Sequence, residues 1–246
     1  MMFKRGKKSM VGVDIGSSSV KAVELQGRGK DLQLLSLGFE ALEADSVVDG
    51  QIIELNAVSN AISSIFNEHK IKTTQVAAGV NGHSVIVKNI VLPQMSDGEL
   101  QESFAWHAEE HIPYDLSDVS LDYQITGSTH DSTQVLIAAC KRERIDNIRQ
   151  AIQLAGKQPV IVDVDAFALH NAFEINYPEA MNGVVGLVNI GHEVTNIYIL
   201  DDGVPVLTRD IPVGTRRFRE DLPDEEIAGT RELVALAGRT PGALRR

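Results

Sequence analysis

One cysteine in 246 residues, Cys140, rules out an internal disulfide framework and suits a reducing compartment. In its apolar run it reads as a small buried hydrophobe. Positive charge is scarce as well: 23 Lys and Arg stand against 34 Asp and Glu, a net charge of −11. That balance argues against nucleic acid as a partner. The N-terminal basic cluster of Lys4, Arg5, Lys7 and Lys8 is followed by no apolar h-region. Neither a signal peptide nor a transmembrane helix is expected. The cluster reads as a solvated terminus or as a contact for an anionic membrane surface.

Catalytic and metal patterns are missing too. No Ser-His-Asp arrangement stands out. His107 and His111 share a predicted helix with Glu110. The glutamate does not follow the first histidine as a zinc His-Glu-x-x-His motif requires, and no third ligand has clear spacing. Both histidines read as surface or partner-facing.

What is present is 43% apolar residues, enough for one large domain or two lobes. The chain is organised around Val11-Gly12-Val13-Asp14-Ile15-Gly16-Ser17-Ser18-Ser19-Val20-Lys21-Ala22-Val23. An apolar β-branched run breaks at Gly16 and resumes at Val20, which predicts strand, tight loop, strand. Gly16 allows close backbone approach, and the three serines offer hydroxyls and N–H groups suited to phosphate oxygens. Lys21 adds a point charge. Asp14 is placed to meet a water on phosphate-bound magnesium. No Gly-Lys-Ser/Thr ends the run, and no spaced glycines open a helix. Alone, the stretch also fits an ordinary hairpin with a serine-rich turn.

A second copy, Leu187-Val188-Asn189-Ile190-Gly191-His192-Glu193-Val194-Thr195-Asn196-Ile197, has the same form. Two like halves, each offering a phosphate hairpin, can clamp a nucleotide between them. On these residues the chain resembles the actin-like ATPase superfamily, which includes actin, sugar kinases and the cell-division protein FtsA. Asp14, Gly16, Ser17 and Lys21 match its first phosphate motif. Asn189, Gly191 and Thr195 match its second, with Asn189 in place of the usual aspartate.

Along the chain, strands are predicted at 32–39, 75–80, 119–125, 134–140, 160–164 and 204–208. Helices are predicted at 56–68, from the Ser96/Glu99 capping box to Pro113, at 143–155 with Ile145, Ile148 and Ile152 on one face, and at 165–176. Asn81-Gly82 predicts a hairpin turn with 84–92 as the returning strand. A helix begins near Arg216 and is broken by Leu222-Pro223.

Asn89-Ile90-Val91-Leu92-Pro93 and the acidic helix ending Glu109-Glu110-His111-Ile112-Pro113-Tyr114 narrow the likeness. They resemble the PilM family of type IV pilus assembly proteins, as does Val160-Ile161-Val162-Asp163-Val164-Asp165-Ala166-Phe167. The resemblance covers roughly residues 11–214. It implies an actin-like (ribonuclease-H-like) α/β fold with an inserted small α/β subdomain and an incomplete second lobe. Residues 11–83 and 159–182 would form the first lobe, 84–158 the insertion and 183–221 the start of the second lobe. No Gly-rich adenine motif follows Gly214, so 222–246 is expected to be a divergent or disordered tail of a truncated chain.

The resemblance also implies chemistry. Ser17, Ser18, Ser19 and Lys21 would hold the β- and γ-phosphates of ATP, and Gly191 and Thr195 would close from the other side. Asp14 would order Mg2+ through water. Asp163 matches the connecting acidic position, with helix capping by Asp163 or Asp165 an equal reading. Gly214 matches a loop that usually has a glycine pair, with Thr215 at the second place. Asn189 removes a carboxylate usually aimed at the metal, at a cost of about 1.5–3 kcal/mol, so weak or absent ATPase activity is expected.

The function implied is a cytoplasmic nucleotide-binding scaffold of the pilus machinery, peripheral to the inner membrane. It would dock on the inner-membrane platform through the N-terminal cytoplasmic peptide of PilN, held between the first lobe and the insertion. Self-association is allowed. An active ATPase or small-molecule kinase and an FtsA-like cell-division protein are the alternatives. A sugar kinase would need a substrate-binding aspartate and a complete second half, neither of which is seen. An FtsA-like protein would need a C-terminal amphipathic helix, which Gly238, Pro241 and Gly242 break.

Overall fold

The computed structural model describes residues 9–27, 29–82 and 85–220. The N-terminal basic cluster, His83-Ser84 and the expected 222–246 tail lie outside these residues.

Strands β1 (Ser9–Ile15), β2 (Ser19–Gln26) and β3 (Gln33–Ala41) form an antiparallel meander. β6 (Gln75–Val80) lies parallel beside β1, and β10 (Gln158–Val164) lies parallel beside β6. The five-stranded order is therefore β10-β6-β1-β2-β3. A small hairpin, β4 (Val47–Val48) with β5 (Gln51–Ile52), leads into helix α1 (Leu55–Glu68). Alternate strand residues Val11, Val13, Val20, Ala22, Val76 and Ala78 face one way. They meet the helical face of Val58, Ile62, Ile65 and Phe66, so the period of two and the period of 3.6 close one core. Leu34, Leu37 and Phe39 on β3 stay exposed, Phe39 at 72%.

The strand after Asn81-Gly82 does not return along β6. Both edges of β6 are filled, by β1 and β10, so no hairpin partner has room. Gly82, at φ 92°, turns the chain outward. β7 (Val85–Pro93) instead joins β8 (Val119–Ser128) and β9 (Ser132–Lys141) in a sheet of order β7-β9-β8. Helix α2 (Asp97–Glu109) covers one face, with Leu100, Phe104 and Ala108 packed on Ile90, Leu92, Val135 and Ile137. Its predicted capping box is present. Ser96 N–H donates to Glu99 Oε2 at 2.8 Å, and Glu99 N–H donates to Ser96 Oγ at 3.3 Å.

Helix α3 (Arg142–Leu154) was expected to close the insertion. Its buried residues Ile148, Ala151 and Ile152 join the core of the five-stranded sheet, and the helix packs beside α1. The inserted sheet already has α2 on one face, and the larger apolar partner for α3 is α1.

Helix α4 (Asp165–Asn176) follows β10 directly. It packs on a third, antiparallel sheet of β11 (Val184–Ile190), β12 (Thr195–Asp201) and β13 (Val204–Ile211). Ala166, Leu187, Tyr198 and Leu200 form the small core between them. A short helix, α5 (Thr215–Glu220), ends the described residues. None of the described helices is long and apolar enough to cross a membrane.

Candidate functional site

Both hairpins bend on a glycine in the same way. Gly16 N–H donates to Ser19 O at 3.1 Å, and Gly191 N–H donates to Val194 O at 2.9 Å. Their registers align position for position. Asp14 faces Lys21 as Asn189 faces Asn196, and Ile15 faces Val20 as Ile190 faces Thr195.

The first hairpin is open to a ligand. Lys21 Nζ lies 2.7 Å from Asp14 Oδ2, with both side chains about half exposed. Among the described residues nothing takes the hydroxyls of Ser17, Ser18 or Ser19. A Cβ on Gly16 would stand 3.2 Å from Ser19 O and 3.7 Å from Lys21 Nζ. Such a cradle is crowded by a side chain but admits a phosphate oxygen.

The second hairpin is internally satisfied. Asn189 Nδ2 donates to Asn196 Oδ1 at 3.2 Å, and the buried Asn196 donates through Nδ2 to Asp210 Oδ1 at 2.7 Å. Thr195, at the position of Val20, donates its hydroxyl to Val213 O at 2.7 Å. Gly214 lies against the turn, where a Cβ would come within 2.3 Å of His192 O. The N–H groups of Thr215 and Arg216 donate to Gly191 O and His192 O at 2.9 and 2.8 Å. The start of α5 is thus seated on the hairpin tip.

Of the two aspartates in Asp163-Val164-Asp165, Asp163 accepts from Val164 N–H at 2.8 Å. Neither caps α4 through its side chain. Asp165 is the carboxyl set between the hairpins. It accepts from Asn81 Nδ2, while Asp14 of the first hairpin and Asp210, bonded to the second, both act on its charge. Burial is the main cause that raises its pKa, to about 6. Repulsion from Asp14, Asp210 and Asp163 adds to this, against the lowering by the Asn81 hydrogen bond. Asn81 is held in turn, because Arg144 Nη1 on α3 donates to its carbonyl at 3.1 Å. Tyr198 loses acidity, first by burial and then through Asp165 and Asp210. Asn81, Tyr198 and Asp210 line a cavity of about 240 Å³ beside this cluster. The sequence signal for Asp165 was an acid opening a helix straight after an apolar strand, and only its burial set it apart from Asp163.

No three His, Cys, Asp or Glu side chains converge as metal ligands among the described residues. The first hairpin still fits a phosphate-borne Mg2+, since that ion often takes one carboxylate plus phosphate and water. Asp14 keeps one oxygen beyond its pair with Lys21.

A larger groove, about 1000 Å³, lies on the other side of β10. Consecutive residues 120–126 of β8 and 159–164 of β10 line it. Both strands are sheet edges. Leu136, Ala138 and Cys140 of the central strand β9 line it as well, so the groove runs over the face of the inserted sheet opposite α2 and is bordered by the two open strand edges. Phe167, His170 and Glu174 of α4 form another wall. β7 packs toward β13 and does not border this groove.

A family model described as "Type IV pilus assembly protein PilM" matches residues 12–225. The chain belongs to the PilM family. A solved PilM–PilN type IV pilus biogenesis complex is 26% identical and matches with a TM-score of 0.78. The match covers 87% of this chain and 64% of that one, so this chain spans less than two thirds of that PilM structure. The cytoplasmic domain of EpsL, an inner-membrane component of the Vibrio cholerae type II secretion system, is 12% identical, with a TM-score of 0.53 over 83% of this chain and 71% of that one. The ethanolamine utilization protein EutJ of Carboxydothermus hydrogenoformans is 16% identical, with a TM-score of 0.50 over 89% of this chain and 59% of that one. These two likenesses concern the fold alone. The PilM fold here is the actin-like α/β fold.

Proposed function

We propose that this chain is a nucleotide-binding scaffold of the type IV pilus machinery that holds the N-terminal cytoplasmic peptide of PilN in the groove between β8, β10 and α4. The observation that carries this is the pair of open strand edges bordering one groove. An extended peptide can continue either sheet through main-chain hydrogen bonds and place alternate side chains in the groove. The likeness to a PilM solved with PilN supports the choice of partner. In this reading PilN ties the protein to the cytoplasmic side of the inner-membrane platform. The inserted unit would end near Lys141, with α3 belonging to the first lobe.

ATP is proposed to bind first through Gly16, Ser17, Ser18, Ser19 and Lys21, with Asp14 near its Mg2+ and Asp165 between the hairpins. Gly191, Asn189, Thr195 and Gly214 would shape the far side, and Asp163 would face the peptide groove. Because Thr195 and Asn189 are already hydrogen-bonded within the chain, turnover is expected to be weak. A second reading, an active ATPase, is favoured by the Asp165 carboxyl poised near neutrality.

The test is fluorescence titration of this chain with the N-terminal tail of its PilN. Saturable binding that falls when a proline is placed mid-strand at Gln124 supports the groove. Binding unchanged by Gln124→Pro in a folded sample would remove it.

A further inference from the structure

The groove has a sign. Asp122, Asp163, Glu174 and Asp202 contribute carboxylates to its lining. Among the described residues that line it, Arg149 is the only guanidinium and there is no lysine, and Arg149 is paired to Asp146 at 2.9 Å. Part of this charge is engaged by main chain: Asp122 accepts from Tyr123 N–H at 2.8 Å, Asp163 from Val164 N–H and Asp202 from Gly183 N–H at 2.7 Å, each through one oxygen. Asp122 on β8 and Glu174 on α4 are exposed on different walls of the groove.

We propose that the groove selects a cationic extended peptide. Its apolar side chains would pack toward Leu136 and Phe167, and its Lys or Arg side chains would reach Asp122 and Glu174. This rests on the peptide-groove reading above and adds its charge specificity. A low-dielectric cleft lined by one sign of charge focuses the field on its occupant. Long basic side chains suit it because their stems bury against apolar walls while the charge stays at the wet rim. A neutral peptide would gain the main-chain bonds without the steering, and an acidic one would meet like charge. The β8 stretch that lines the groove would match a strand of about 20 Å, the span of six to seven extended residues.

The experiment uses the full chain and two labelled eight-residue peptides, one alternating leucine with lysine and one with glutamine at each lysine. Anisotropy is read at low and moderate salt. The Asp122→Asn/Glu174→Gln variant removes groove charge, and Glu102→Gln/Glu109→Gln removes equal charge from the exposed face of α2. The expected result is that the groove variant binds the lysine peptide about three- to tenfold more weakly, with a flatter salt dependence. The glutamine peptide should bind both variants alike, and the α2 variant should match the parent. Equal binding of the two peptides, or an equal loss in the α2 variant, would overturn the charge specificity and leave the groove standing. Failure of both peptides to bind a folded chain would overturn the groove reading itself.

Discussion

Asn189 Nδ2 donates to Asn196 Oδ1 at 3.2 Å, in the register position where the first hairpin sets Asp14 against Lys21. One half of the fold thus carries an exposed ion pair and the other a neutral amide pair. The amide of Asn196 cannot flip freely, because its nitrogen is committed to Asp210. Restoring the usual aspartate by Asn189→Asp would set a carboxylate oxygen against the Asn196 oxygen. A loss of about 1 kcal/mol is expected, read from urea unfolding at pH 7. An increase in stability would contradict this arrangement.

Lys21→Ala separates ligand binding from stability. The Lys21–Asp14 pair is about half exposed on both sides, so its removal should cost under about 1 kcal/mol. A charge-assisted phosphate contact is worth about 1.5–3 kcal/mol, which corresponds to roughly ten- to a hundredfold in ATP affinity. Calorimetry that finds ATP binding unchanged by Lys21→Ala would exclude the first hairpin as the phosphate site.

Asp165 gives the fold a signature in pH. Its ordinary value of 3.8 is raised to about 6 in the folded chain. The native state therefore holds more protons than the unfolded state between those values. The stability from this group is full below pH ~4 and is lost as pH rises through about 6, by on the order of 2 kcal/mol. Asp165→Asn should remove this dependence, so the stability difference between parent and variant should change between pH 4 and pH 7. Asn81→Ala deletes the one interaction that lowers the value, and the midpoint should move up. A parent–variant difference that is flat across this range would refute both expectations.

Gly214→Ala tests the seat of α5. The new Cβ would meet main chain of His192 and Glu193, at 2.3 Å from His192 O. Main chain cannot swing aside as a flexible side chain would, so a loss of about 1–3 kcal/mol is expected. Gly186→Ala is the control, since nothing lies within 4 Å of its Cβ. Equal thermal midpoints for the two variants would mean that the hairpin tip yields.

Short-range chemistry was legible in the chain itself. The Gly16 and Gly191 breaks located both hairpins, Ser96 with Glu99 started α2, and the spacing of Val58, Ile62, Ile65 and Phe66 marked the buried face of α1. These signals act within a few residues and need no partner to be read. The path of β7 was different. Asn81-Gly82 specified a turn, but the edges of β6 were already occupied by strands distant in sequence, so the returning strand had to join another sheet. The periodicity of α3 gave its apolar face and not the helix it would meet. The family likeness pointed to Asp163, with Asp165 read only as a helix cap, and burial beside Asn81 and two distant carboxylates singled out Asp165 instead. Local pattern set which residues turn inward. Competition for edges and apolar surface among elements far apart in the chain decided what each one met there.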